Sequence, residues 1–208
     1  MDSLLNLLQL ADSALPVGGS AHSLGLETLV EEGCLTVETI EEFFRGYLSE
    51  AGILEASFVR RTWRGDEDPL ALTHEFVARR PARESRDAAL RMGQRFGRLV
   101  NSFTGESLIP EGLAYPVAFG LAGARLDLDE DVVVLACLRQ SIAALISACQ
   151  RLMPIGQVAA GCLMWNLNPF ISSAARGSEN TKEVGCFTPL AELASMRHAS
   201  LETRLFIS

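Results

Sequence analysis

The side chains that most often carry chemistry are sparse in this chain and poorly spaced for it. Three histidines, His22, His74 and His198, stand far apart. No pair falls at the i,i+4 separation that puts two imidazoles on one helix face, and neither H-E-x-x-H nor H-x-H occurs. Only assembly in space with nearby carboxylates could turn them into a metal-dependent hydrolytic site. The five cysteines, Cys34, Cys137, Cys149, Cys162 and Cys186, are odd in number and contain no C-x-x-C pair. That points to reduced, small core residues rather than a zinc knuckle or a disulfide framework. The sole lysine, Lys182, follows no G-x-x-x-x-G-K-[ST] run, so the backbone cradle that a P-loop presents to nucleotide phosphates is missing. No serine sits in G-x-S-x-G. The expectation is a protein with no catalytic residue, cofactor or metal of its own.

Charge narrows the partners. A formal net charge of −8 disfavours attraction to nucleic-acid phosphates, which relies on many lysine and arginine contacts. Arginines nonetheless crowd the segment from Arg60 to Arg98. A helical nucleic-acid regulator would have to use that segment. The plainer reading is ion pairs on helix surfaces, for example Asp87 with Arg91 at i,i+4.

Two segments ask for more than a solvated surface. In Leu15-Pro16-Val17-Gly18-Gly19-Ser20-Ala21-His22-Ser23-Leu24-Gly25-Leu26-Glu27 a proline and paired glycines separate two helical patterns. This is either a tight connection with Ser20 or Ser23 capping the next helix, or an exposed loop whose backbone approaches another surface. At the other end, Leu205, Phe206 and Ile207 fall among the last residues, which fray unless something covers them. Either the tail docks on its own core or a partner receives it. His198 lies on the stripe between Ala194 and Leu201, as a satisfied core histidine would.

The elements that must position these residues are helices. With 208 residues, 48% of them apolar, the chain suits one domain that buries roughly 70% of the surface its unfolded state exposes. No repeat or linker divides it. Thr36 caps a helix that carries Ile40, Phe43, Phe44, Tyr47, Leu48 and Ile53 on one face and runs to about Trp63. Asp68-Pro69 reads as N-cap and N1 of a shorter helix ending near Arg79-Arg80. From Ala82 to Phe103 an apolar stripe comprises Ala88, Met92, Phe96, Leu99 and Phe103, with Gly93 and Gly97 marking a close helix crossing. Asp129 to Arg151 is apolar or small around most of its circumference and belongs at the bundle centre. The run Val132-Val133-Val134 favours strand locally, but length and periodicity outweigh it. Pro154 opens a helix that Asn168-Pro169 ends, because the residue before proline is pushed out of the α region. A polar loop spans Arg176 to Gly185. A last helix covers Pro189 to Phe206, with Leu190, Leu193, Ala194, Leu201 and Leu205 on one stripe. The fold expected is an all-α, single-domain bundle of roughly eight to ten mostly antiparallel helices over 1–208, with a docking tail from about 189.

The start Met1-Asp2-Ser3-Leu4-Leu5 carries an acid where a signal peptide carries lysine or arginine. The longest apolar stretch, Val132 to Cys149, is interrupted by Arg139 and Gln140. A cytoplasmic location follows as the expectation.

Several of these segments together resemble one family. Leu7-Leu8-Gln9-Leu10-Ala11-Asp12-Ser13-Ala14-Leu15-Pro16-Val17-Gly18-Gly19, then Ser23-x-Gly25-Leu26-Glu27, Ser85 to Gly93, Arg151-Leu152-x-Pro154-Ile155-Gly156-Gln157, Pro189-Leu190-x-x-x-Ala194-Ser195-Met196-Arg197-His198 and Arg204-Leu205-Phe206-x-Ser208 are similar, in order, to the signatures of UreF. The chain departs from that pattern at Ser20, where the family often has an aromatic, and at Ala199, where it often has glutamate. The resemblance implies an all-α, usually dimeric urease accessory protein, not a hydrolase. It would bridge a UreD/UreH-type protein to the GTPase UreG during nickel delivery to the urease apoprotein. It also implies partner binding at Gly18, Gly19, His22, Ser23, Arg204 and Phe206. An arginine fork beside an exposed aromatic in the tail would suit an interface anchor.

Overall fold

Two of the helices begin where the sequence supplies a side-chain cap. Asp68 accepts from Ala71 N at 2.9 Å and Asp129 from Val132 N at 3.0 Å, each satisfying one of the amides a helix start leaves open. The structure, a computed structural model, describes residues 2–179 and 188–207. Lys182, Cys186, Ser208 and most of the polar stretch up to Gly185 lie outside the described residues. The helices are α1 (Asp2–Leu10), α2 (Leu26–Glu31), α3 (Ile40–Tyr47), α4 (Ile53–Arg64), α5 (Pro69–Ala78), α6 (Arg83–Thr104), α7 (Tyr115–Arg125), α8 (Glu130–Leu152), α9 (Gln157–Gly177) and α10 (Pro189–Arg197). No strand occurs among the described residues, and the expected all-α bundle is what forms.

The innermost helix is α7, buried continuously from Tyr115 to Gly123, rather than α8. Glycines let its neighbours come in. A Cβ on Gly93 of α6 would sit 2.7 Å from Tyr115 N, and one on Gly97 would sit 2.9 Å from Ile109 Cγ2. The close approach read from those two glycines is therefore to the chain leading into α7. Phe96 then stacks on Phe119 with centroids 5.1 Å apart. α8 lies beside α7 with Val133, Val134, Cys137, Leu138, Leu145 and Ile146 buried, so the valine run is helical. This is also the helix long and apolar enough to cross a membrane by composition, and most of it faces the bundle interior.

Several local expectations are corrected. Thr36 does not cap the first long helix; it hydrogen-bonds Glu38 and Thr39 in a turn that precedes α3. The rod from Ile40 to Arg64 contains a π-helical turn, Leu48–Gly52, between α3 and α4. One extra residue there lets Leu48, Ala51 and Leu54 all be buried. Pro169 does not end α9 but lies inside it. Trp165, whose carbonyl loses its partner, is 76% exposed and open to water, while Ile171, Ala174 and Ala175 beyond the proline are buried. Core contacts on one side outweigh a helix defect on the wet side. Asp87 pairs with Arg83 at 3.6 Å, not with Arg91. The last helix stops at Arg197, followed by a 3-10 turn (His198–Ser200) and non-helical chain.

Candidate functional site

The two distinctive sequence segments meet in space. Glu27, on α2, is 5% exposed, and its carboxylate receives the C-terminal tail. His198 Nε2 lies 2.7 Å from Oε2, Leu205 N donates to Oε1 at 2.6 Å and Phe206 N to Oε2 at 3.3 Å. Ile207 N donates to Ala21 O at 2.9 Å, joining the tail to the glycine-rich loop itself. The guanidinium of Arg151, at the end of α8, covers the Phe206 ring at 4.3 Å and donates to Leu205 O at 3.4 Å. The tail docks on its own chain, and a buried carboxylate with several donors is the arrangement that makes such burial tolerable.

That docking revises the tail reading. Phe206 is not an exposed aromatic beside an arginine; it is 5% exposed and anchors the tail inward. Exposed instead are Arg204, Leu205 and Ile207. α10 is also turned the other way from its sequence stripe. Ala191, Glu192, Ala194 and Ser195 face inward, whereas Leu190, Leu193 and Met196 face outward at 48%, 55% and 43% exposure. The inward polar groups hold it there. Arg80 bridges Glu55 at 2.7 Å and Glu192 at 3.5 Å, Glu192 accepts from Ala82 N at 2.8 Å, and Ser85 and Ser195 pair at 3.2 Å. Tyr47 completes the buried cluster by donating to Glu55 at 3.1 Å. Gly25 is required by the same contact: its φ is +90°, and a Cβ there would lie 2.5 Å from Ala191 O.

The glycine-rich loop is half inside the molecule. Gly18, at φ +84°, begins a 3-10 turn (Gly19–Ala21), and a Cβ on it would overlap the Arg95 guanidinium. Gly19 packs near Met92 and Ala144. His22 is 3% exposed; burial first, then the charges of Arg91 and Arg95, lower its pKa to about 4. Ser23 is fully buried, and its hydroxyl has no hydrogen-bond partner among the described residues. Of the residues singled out for binding, Arg204 is exposed, the glycines shape the loop, and His22, Ser23 and Phe206 are buried.

The histidines do not assemble. His74 is exposed on α5, His22 lies against α6 arginines, and His198 pairs with Glu27. No group of three or more His, Cys, Asp or Glu side chains among the described residues could hold a metal ion. Cys137 and Cys149 are buried, and burial pushes the Cys149 thiol up to about 12, away from thiolate chemistry. Sequence reasoning missed Glu27, Arg151 and the Arg80 cluster as organising residues. The available signal was Glu27 itself, an acid between Leu26 and Leu29 on a short helix, where a charge needs buried donors.

Fold and site together define an all-helical protein whose buried Glu27, Glu55, Arg80 and Glu192 brace its core and tail, with an apolar helix face turned to solvent. A family model for UreF matches residues 35–168. Proteins named urease accessory protein UreF are similar along nearly the whole chain. That of Nostoc sp. is 35% identical over 98% of this chain and 95% of its own length. That of Delftia acidovorans is 34% identical over 100% and 98%, and that of Paracoccus denitrificans 32% identical over 98% and 95%. The chain belongs to the UreF family of urease accessory proteins.

Proposed function

We propose that this chain is an adaptor without turnover of its own, working as a homodimer in the cytoplasm. It bridges a UreD/UreH-type protein and the GTPase UreG and modulates GTP-dependent nickel insertion into the urease apoprotein. The observation that carries this reading is the outward face of α10, where Leu190, Leu193 and Met196 stay exposed on a helix and tail pinned rigidly by Glu27 and Arg80. Large apolar side chains held in a fixed array toward water suit a protein partner. Arg204, exposed on the tail, supplies a guanidinium fork for a carboxylate or carbonyl of that partner.

The test is a pull-down of full-length protein, of R204A and of chain lacking Arg204 to Ser208, against UreD/UreH and UreG, with circular dichroism on each. We expect all three to stay helical, the full-length chain to assemble, R204A to bind about tenfold or more weaker, as loss of a hot-spot residue does, and the truncation not to assemble. A well-folded full-length chain that joins neither partner overturns the adaptor reading. R204A binding at full strength removes Arg204 from the interface.

A further inference from the structure

Behind the glycine-rich loop lies a cleft of about 750 Å³, walled by Ser13 to Gly19, by Met92 and Arg95 of α6, and by the face of α8 from Gln140 to Gln150. Its chemistry is uneven. Arg95, exposed on α6, and Ser141 and Ser147 of α8 are its charged and hydroxyl-bearing lining residues. Among the described residues none of the three makes a hydrogen bond or an ion pair with a carboxylate. No aspartate or glutamate lines the cleft. The remaining wall is largely apolar, including Leu15, Met92 and Ala144.

The loop is shaped around that guanidinium. Gly18 takes a left-handed φ of +84°, and any side chain there would displace Arg95. Arg95 also lies near His22, where its charge and that of Arg91 add to burial in lowering the histidine's pKa. Most guanidiniums along the arginine-rich stretch are matched: Arg60, Arg61, Arg64, Arg79, Arg80, Arg83 and Arg98 face carboxylates, and Arg86 donates to the Arg80 and Pro81 carbonyls. Arg91 and Arg95 face no carboxylate among the described residues, and of these two Arg95 lines the cleft.

We propose that this cleft binds an acidic peptide segment of a partner protein, with Arg95 receiving a side-chain carboxylate and the α8 serines donating to the peptide backbone. One guanidinium with neutral hydroxyls matches the single charge of a carboxylate, and a planar fork receives it through two parallel bonds. A phosphate dianion would leave its second charge unmatched. The apolar wall takes the residues flanking the acid. The site deepens the adaptor reading and rests on it only for the existence of a protein partner.

The test uses unmodified full-length protein and NMR. N-acetyl-Leu-Glu-Leu-amide, its Gln counterpart and inorganic phosphate are each titrated to about 10 mM, enough to populate a millimolar site. The expected result is saturable movement of the Arg95 Nε–Hε signal and of the Gly18, Gly19 and Ser147 amides with the Glu peptide. The Gln peptide should bind about tenfold or more weaker, and so should the Glu peptide to R95Q, as loss of a charge-assisted pair requires. Equal binding of both peptides would make the cleft an apolar groove and overturn the proposal. Phosphate saturating where the peptide does not would overturn it in favour of a small-anion site, and no movement with any probe would refute it outright. Failure here leaves the pull-down with UreD/UreH and UreG untouched, so the two readings fail separately.

Discussion

Replacing Glu27 with alanine removes the acceptor on which the joined ends depend. In the folded protein that carboxylate takes His198 Nε2 at 2.7 Å and Leu205 N at 2.6 Å, with Phe206 N longer at 3.3 Å. Hydrogen bonds to a charged group contribute about 1.5–3 kcal/mol each, but the three losses do not add. The tail can leave and return its amides to water. That forfeits the burial of Phe206, about 1.5–3 kcal/mol, and regains about 1–2 kcal/mol of backbone freedom per released residue. Tail docking is therefore near balance once the acceptor is gone. His198 has no such escape, being 1% exposed on the turn that ends α10; an unmatched ring nitrogen there costs about 1–3 kcal/mol. E27A should thus lose about 2–3 kcal/mol globally, lowering Tm by about 4–12 °C for a chain of this size. It should also expose the Leu205, Phe206 and Ile207 amides to rapid hydrogen exchange. E27Q, keeping the shape and one acceptor oxygen, should fall between. If those amides remain as protected as in the unmodified protein, or Tm moves by less than about a degree, the carboxylate is not the clamp described.

Gly25→Ala places a Cβ at positive φ against the backbone of α10. A loss of about 2 kcal/mol or more is expected in denaturant unfolding, and a change under about 0.5 kcal/mol would show that α10 is not packed there. Because the pKa of His22 is lowered from 6.5 to about 4, the unfolded chain binds the proton first. Stability from this group is complete above about pH 6.5 and is lost as pH falls toward 4, on the order of 3 kcal/mol in all. H22Q should flatten that part of the stability-versus-pH curve; an unchanged slope would assign the acid sensitivity elsewhere. Leu193→Asp on the outward face of α10 should leave Tm within about 1 °C, as surface substitutions do, while weakening partner capture. A large fall in Tm would mean that the face is not free.

Helices with one apolar face were legible in the residues alone. Asp68-Pro69 and Asp129 announce their helix starts because a cap acts within four residues, and the α6 stripe of Ala88, Met92 and Phe96 follows from the helical period. The absence of nucleotide-binding and zinc-finger spacing was equally plain, since those sites need ligands at fixed separations in the chain. α7 was not legible. Buried from Tyr115 to Gly123, it has no polar face to set a period.

Only the tertiary structure decided the rest, wherever a long-range contact overrides a local preference. Pro169 breaks a helix in isolation, yet α9 continues because Ile171 and Ala174 must reach the core. Leu190 and Leu193 form part of an inward stripe by sequence. They face out because Arg80, 112 positions before Glu192 in the chain, holds the opposite side of α10 through that residue. The meeting of Glu27 with Leu205 spans 178 residues, and no periodicity encodes it. A buried carboxylate selects its donors by what the completed bundle brings within 3 Å, and the chain shows that choice only once it has folded.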